Sequence, residues 1–371
     1  MYMLIKQAFK MIEWWKINYT KKNISYIIKS INQKRISQGK NNLKLENKIS
    51  KLLKVKYCVT STSGTTAIML ALKALGLKRD DEVILPNRTW IASANVLDYL
   101  ELKVKLVDVK KDKQIIDETQ IEKNITKKTK LIIPTHLNGK SANMNKILEI
   151  AKHYKIKVLE DSAQALMAKY NNKYLGTFGD VGIFSMAMTK ILSTGQGGFL
   201  VTNDKGIYKK LLELKNHGIN DIFEVDWNKR NGLNFKFTDL QASLALSQIK
   251  TLRKRANKLK ENYRIYKNGL KNLDYIKIMP YNFKSGELPL WIECLSKKRN
   301  KLIKLLNKNK IQARPGYPSL NNFSRFKNKN KIFPNSEYFE DNCLYLPSGV
   351  NIEKKTIYKV LNILNKLSKK I

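Results

Sequence analysis

The stretch "FSMAMTKILSTGQGGF", residues 184–199, sets one lysine, Lys190, between an apolar run and a glycine cluster. Most lysines are solvated surface charges. One that is desolvated, or held near other cations, can lose its proton and act as a nucleophile or proton carrier. Three further stretches hold groups that such chemistry could use. "TSTSGTT" puts Gly64 and Thr65 in a small hydroxylated turn at a helix start, where free N–H groups and the positive dipole end favour a phosphate. The plainer reading is an ordinary cap by Ser63 or Thr65. "VLEDSAQA" ends an apolar strand on Asp161, with Gln164 three residues on. That carboxylate is either an active-site acid or the cap of a following helix. "NRTWIASAN" carries Trp90 just past another strand end, as core residue or as flat platform.

The combination is more specific than its parts. A phosphate turn, an aromatic ring, a strand-end aspartate and a lysine beside glycines meet the needs of pyridoxal 5'-phosphate. The phosphate needs N–H donors, the ring needs a flat surface and a carboxylate at its nitrogen, and the aldehyde needs an amine. Other cofactors lack their signatures. "HLNGKS" ends like a phosphate-binding loop, but the required first glycine falls on Pro134, and no G-x-G-x-x-G follows a strand.

The elements around these residues give the fold class. From about residue 47, short β-branched runs ("VKYCVTS", "DEVILP", "VKLVDV", "TKLIIPTH", "IKVLEDS") alternate with helical ones ("GTTAIMLALKAL", "ASANVLDYL", "NKILEIAKHY"). This predicts an α/β protein with a mostly parallel central sheet flanked by helices, whose ligands sit at the carboxyl ends of the strands. "TDLQASLALSQIKTLRKRANKLKENYRIY" reads as helix. Beyond it, "LPLWIECLS", "KKRNKLIKLLNKNKIQARPGY" and "TIYKVLNILNKL" predict a smaller α+β domain. The expected division is 1–250 for the large domain, with an N-terminal helical segment, and 251–371 for the small one. "NNFSRFKNKNKIFPNSEYF" reads as a surface loop.

Composition sets outer bounds. A chain of 371 residues with 43% hydrophobic content can bury a large core. Its formal charge of +41 draws anions and suits a nucleic-acid-binding or regulatory protein. The lysines are nevertheless spread along the whole chain, as a compositional bias of the source would leave them, so no specific nucleic acid is expected. No apolar run is long enough for a bilayer span. The start lacks the pattern of a signal peptide. Three scattered cysteines fit a reducing cytoplasm and offer no metal-site spacing.

With these residues in view, the chain resembles the DegT/DnrJ/EryC1/StrS sugar aminotransferases, which have the fold-type I aminotransferase architecture. The likeness runs from about residue 20 to the end. It rests on "TSGTTAI", "THLNGKSANM", "VLEDSAQALMAKYNNKYLGTFGDVGIFSMAMTKILSTGQGGFLVTND", "NHG", "GLNFKFTDLQASLALSQI" and "LPSGVNI". The resemblance implies that Lys190 binds the cofactor covalently and shuttles protons at the substrate carbon. Asp161 would pair with the ring nitrogen, Gln164 would lie near the ring hydroxyl, and Trp90 would stack on the ring. Gly64, Thr65 and Ser185 would hold the phosphate, and Asn234 would reach it from the neighbouring subunit of a homodimer with shared active sites. Arg314, in "IQARPGYP", would lie near the sugar.

"STGQGG" and "LPSGVNI" look most like the perosamine-synthase branch. That branch implies transfer from glutamate to C4 of a nucleotide-linked 4-keto-6-deoxy sugar for surface polysaccharide, with C3 or another position on a UDP- or dTDP-linked sugar as the alternative. A dehydratase branch replaces the lysine by histidine, and another needs a cysteine-ligated cluster, so transamination is expected. Three positions depart from the family: Lys140-Ser141 for Gln-Pro, Lys236 for arginine, and Ser319-Leu320-Asn321 for Pro-Leu-His. His136 matches a family position, as catalyst or as hydrogen-bonded strand-end residue.

Overall fold

The computed structural model describes residues 11–219, 231–327 and 331–371. Residues 1–10, part of the stretch read for a signal peptide, lie outside the described residues, as do 328–330 of the expected surface loop.

The large sheet collects β1 (Tyr57–Ser61), β2 (Glu82–Pro86), β3 (Lys103–Val107), β4 (Thr129–Ile132), β5 (Lys157–Asp161), β8 (Val181–Ser185) and β9 (Gly198–Thr202). A small hairpin, β6 (Lys169–Tyr170) and β7 (Lys173–Tyr174), stands apart from it. The order across the large sheet is β1-β9-β8-β5-β4-β2-β3. Every neighbouring pair is parallel except the two made by β9, which runs antiparallel to both β1 and β8. β8 and β9 are buried at every residue, as expected of strands covered on both faces.

The reversal at β9 matters for the site. A strand and its antiparallel neighbour are joined at one edge of the sheet, with no crossover helix to carry the chain back. The loop from Met186 to Gly197, with Lys190 inside it, therefore stays at the carboxyl end of β8. The ends of β1, β2, β4 and β5 lie along the same edge.

The helices of this half are α1 (Lys21–Asn32), α2 (Lys40–Leu53), α3 (Gly64–Leu75), α4 (Ala92–Tyr99), α5 (Met144–His153), α6 (Lys205–Leu214) and α7 (Asp239–Ile249). Ser63 caps α3, accepting from the Thr66 N–H at 3.1 Å while the Thr66 hydroxyl oxygen accepts from the Ser63 N–H, a capping box. The N-cap of α2 is Gly39, which has no side chain to cap with, and Asp239 of α7 supplies the acceptors. Its two carboxylate oxygens take the N–H groups of Asn41 (3.1 Å) and Asn42 (2.9 Å).

The second sheet is antiparallel, β10 (Lys277–Ile278), β11 (Ile292–Leu295), β13 (Cys343–Leu346) and β12 (Arg314–Pro315) in spatial order. Around it lie α8 (Leu252–Gly269), α9 (Arg299–Lys308), α10 (Pro334–Asn342) and α11 (Lys354–Leu367).

Two sequence expectations are corrected. The long helix read over 238–266 is two helices, α7 and α8. The Thr251 N–H and hydroxyl both turn back to the Gln248 carbonyl, and this local bonding competes with helix continuation. The segment read as a surface loop contains short 3-10 turns and α10, and it buries Phe326, Phe333 and Phe339 in the core. Its polar residues masked three aromatic anchors.

The domain division near residue 250 stays a proposal. α8 contributes Leu252, Ala256 and Leu259 to the core beneath the large sheet, and Tyr263 and Tyr266 to the core of the second sheet. The first described residues also cross over. Ile12 bridges to Ile311 and Trp15 to Ser348, which carries Trp14 onto Trp291 and Tyr345.

Candidate active site

A cavity of about 410 Å³ opens along the carboxyl edge of the large sheet, with the second sheet on its other side. The strand ends supply its polar groups in turn: Ser63, Gly64 and Thr65 after β1, Thr89 and Trp90 after β2, Thr135 after β4, Asp161 and Gln164 after β5, and Ser185 and Lys190 after β8. Arg314, Tyr317 and Trp291 enter from the C-terminal part. Of the nine site residues expected from sequence, eight line this one cavity.

Asn234 is the ninth. It is exposed, bridges to Asn216, and is not among the lining residues of this chain's cavity. Its expected contact is with a neighbouring subunit.

Lys190 is partly buried at the cavity wall, and its Nζ lies 5.3 Å from the centre of the Trp291 ring. Burial lowers its pKa to about 8, against the opposing pull of the Asp161 carboxylate. An amine near 8 is partly neutral at physiological pH, as a nucleophile requires. The sign of the stability effect follows. Between about 8 and the ordinary lysine value of 10.5, the unfolded chain holds a proton at this position that the folded chain has shed. Stability therefore rises with pH across that window through this group, and below it the penalty of a buried charge is fully present. Without cofactor, the unfolding free energy of the protein minus that of Lys190→Met should climb from pH 8 to 10.5 in urea titrations. A flat difference would place the amine in solvent.

Asp161 is buried, and its acceptors are aimed by neighbours. Oδ2 takes the Ser93 hydroxyl at 2.8 Å, and Oδ1 takes the Ala163 N–H at 3.1 Å. No helix follows it: residues 162–168 are turns. Asp161 caps no helix, so the plainer of its two sequence readings fails.

At the other end of the cavity, the first N–H groups of α3, those of Gly64 and Thr65, have no carbonyl one turn back to meet. A Cβ on Gly64 would stand 3.1 Å from the Ser185 Cβ, so glycine keeps this corner open. Trp90 is 55% exposed, unusual for tryptophan, and its ring meets Tyr317 edge-on at 5.1 Å. Arg314 lies with its guanidinium 4.7 Å over the Trp14 ring and forms no salt bridge among the described residues.

His136 is settled by its contacts. It is fully buried; Nδ1 accepts the Ala142 N–H at 3.3 Å, which leaves Nε2 to donate to the Glu160 carboxylate at 2.9 Å. Glu160 also gathers the N–H groups of Gly176, Phe178 and Gly179, holding the turn that leads into β8. His136 braces the sheet edge and does not line the cavity. The departures near the substrate side are likewise structural. Leu320 is buried, and Asn321 exchanges hydrogen bonds with Asn87 at 2.7 and 2.9 Å.

Sequence reasoning missed Trp14, Trp291, Tyr317, Thr89 and Thr135. Their stretches read as strand, loop or N-terminal segment, although Thr89 stands beside Trp90, Thr135 beside His136, and Tyr317, in "ARPGYP", close to Arg314.

A model of the DegT/DnrJ/EryC1/StrS aminotransferase family matches residues 18–365. The chain belongs to this family. It is 31% identical over 361 residues to the GDP-perosamine synthase of Escherichia coli O157:H7, covering 96% of this chain and 98% of that protein. It is 34% identical over 267 residues to the GDP-perosamine synthase of Caulobacter vibrioides, covering 70% and 72%. Among solved structures, Helicobacter pylori PseC, an aminotransferase involved in the biosynthesis of pseudoaminic acid, superposes with a TM-score of 0.91 at 25% identity, over 98% of this chain and all of that one. The fold is thus the fold-type I architecture that the resemblance implied, and the chain is an aminotransferase.

The family implies pyridoxal phosphate, and the residues present fit it. The Thr89 and Thr135 hydroxyls, both lining the cavity, are buried without a partner in the protein, as groups awaiting a polar ligand are. A helix N-terminus, an open tryptophan face, a buried carboxylate and a partly neutral amine lie around the same space. Among the described residues no helix is long and apolar enough to cross a membrane.

Proposed function

We propose that the protein transfers an amino group from glutamate, through pyridoxal phosphate, to C4 of a nucleotide-linked 4-keto-6-deoxy sugar, with GDP-4-keto-6-deoxymannose as the leading substrate and surface polysaccharide as the destination. The observation that carries this reading is the near full-length similarity to GDP-perosamine synthases, together with a cavity whose lysine and aspartate suit the cofactor.

Bound there, pyridoxal phosphate supplies an aldehyde for the amino group and a ring that draws electrons from the substrate carbon. The protein's own groups do the rest. Lys190 Nζ would hold the cofactor's aldehyde and would take and return a proton at the substrate carbon. Asp161, fixed by Ser93 and Ala163, would keep a proton on the ring nitrogen. Gly64, Thr65 and Ser185 would hold the phosphate, and Trp90 would pack against the ring. Arg314 offers its guanidinium to an anionic part of the substrate, the sugar's diphosphate or the donor's carboxylate.

The test is incubation of purified protein with glutamate and a panel of keto sugars carrying GDP, UDP or dTDP, followed by mass spectrometry. An amino sugar formed fastest from GDP-4-keto-6-deoxymannose is the expected result. Faster turnover of a UDP- or dTDP-linked sugar, or amination at C3, would move the assignment to the alternative.

The assembly reading is a homodimer with two equivalent sites, each completed by Asn234 of the other chain. Lys236 Nζ, bonded at 3.0 Å to Asn216 Oδ1, puts a cation on the same segment, favourable beside a phosphate. Mixed dimers of Lys190→Ala chains with Asn234→Ala chains then hold one intact site and regain up to about half the wild-type activity per dimer, since two-fold symmetry gives two sites. Absence of rescue in verified heterodimers would defeat the shared site.

A further inference from the structure

Between the two sheets lies a buried polar cluster that the chemistry above does not use. Asn138 is fully buried and sits in the left-handed region (φ 53°, ψ 29°), which asparagine tolerates better than most residues but which still needs support. The support comes from the C-terminal part of the chain. Asn138 Oδ1 accepts the Trp291 N–H at 2.7 Å, and its Nδ2 donates to the Trp291 carbonyl (3.2 Å) and to Glu293 Oε2 (3.0 Å). Its own carbonyl accepts the Tyr281 hydroxyl at 3.0 Å. Glu293 is anchored by Lys140, one of the residues that depart from the family's Gln-Pro, and by Gln114. Burial alone would raise the Glu293 carboxyl, but the Lys140 ammonium and the bonds from Asn138 and Gln114 outweigh it and keep it ionised.

What this brace delivers to the cavity is one N–H group. The Asn138 backbone N–H donates to Gln164 Oε1 at 2.8 Å. With its oxygen so occupied, the Gln164 carboxamide turns its NH2 to the cavity side, where it meets the Tyr317 hydroxyl at 3.3 Å. Burial pushes the Tyr317 phenol well up, so it stays protonated. An amide presents a donor or an acceptor according to which way it is turned, and here the choice is made behind the cavity wall.

We infer that Asn138 is a positioning residue: braced by Trp291 and Glu293, it holds Gln164 so that the site offers a hydrogen-bond donor to an anionic oxygen on the ligand's ring. This rests on the pyridoxal phosphate reading, whose ring bears such an oxygen beside the aldehyde. The position of the C-terminal sheet is thereby tied to the orientation of a group in the cavity of the large domain.

The test is a double-mutant cycle read as pyridoxal phosphate affinity, by equilibrium dialysis of the full-length cofactor-free protein. Asn138→Gly keeps the left-handed backbone and its N–H but removes the brace. Gln164→Ala removes the amide. Each should weaken binding about tenfold, the scale of one misplaced hydrogen bond. If Asn138 acts through Gln164, the double variant also loses about tenfold, whereas independent effects would multiply to about a hundredfold. Asn138→Asp, which keeps the side-chain shape but loses both donors, carries the same cycle if the glycine variant does not fold. Multiplying losses, or unchanged affinity in the Asn138 variants with only a lowered melting temperature, would reduce Asn138 to a clamp between domains and overturn the inference. A wild-type chain that binds no pyridoxal phosphate would instead overturn the functional reading, and this inference with it.

Discussion

Lys190→Ala lowers aminotransferase turnover by at least about 10³-fold, within the range that a positioned acid–base group contributes. In the proposed reaction the lysine has two tasks that no neighbour can assume. Among the described residues it is the only lysine lining the cavity, and the Asp161 carboxylate cannot serve as an amine. The variant should still fold, because the side chain makes no ion pair among the described residues and its burial as a charge costs stability. It should still bind pyridoxal phosphate, through the α3 N-terminus and the Trp90 face, without the covalent link. Borohydride reduction followed by peptide mapping checks this directly. In the wild type the reduced adduct should sit on Lys190, and the variant should carry none. Recovery of the adduct on another lysine would refute the assignment.

Asp161→Asn gives the second large effect, a loss of roughly 10²-fold or more in turnover with little loss of stability. A carboxylate at the ring nitrogen stabilises the protonated ring, and so the charge that develops in the reaction; a neutral amide does so far less. Stability changes little because asparagine keeps an acceptor for the Ala163 N–H and can satisfy the Ser93 hydroxyl, and no helix depends on the residue. The expected cost is about 1 kcal/mol, one altered hydrogen bond. Thermal melts and steady-state rates on the same preparation separate the two effects. Near-normal turnover would show that the carboxylate serves only the turn.

The legible part of the site was local. Glycines and hydroxyls before an apolar helix announce a capped N-terminus, and Ser63 with Thr66 makes one. A β-branched run closing on Glu-Asp announces a buried strand end, and Asp161 closes β5 there. Such signals survive because they depend on backbone hydrogen bonds within a few residues. The illegible part came from residues far apart in the chain. Trp14 meets Trp291 at 5.3 Å between ring centres although the two are 277 residues apart in the chain. Asp239 caps a helix about 200 residues earlier, and nothing near Gly39 signals the missing cap. The phenylalanines of the segment around 321–339 were passed over because their polar neighbours set its average character, while burial is decided residue by residue.

By itself, the sequence determined the alternation of strands and helices, the strand-end placement of Gly64, Trp90 and Asp161, and, through the motifs spread along the chain, the family. These follow from periodicity and from short-range bonding. Only the tertiary structure decided which strand-end groups share a cavity, because strand order is set by packing between distant segments: β9 inserts between β1 and β8 and keeps the Lys190 loop on the edge where Asp161 ends. It removed the cap reading of Asp161, since no helix forms after it to be capped. It also made His136 a brace, because the Glu160 carboxylate and the Ala142 N–H occupy its two ring nitrogens. The lowered pKa of the Lys190 amine has the same origin: the walls that strip it of water come from β8, β5 and the Trp291 segment, which only the fold brings together.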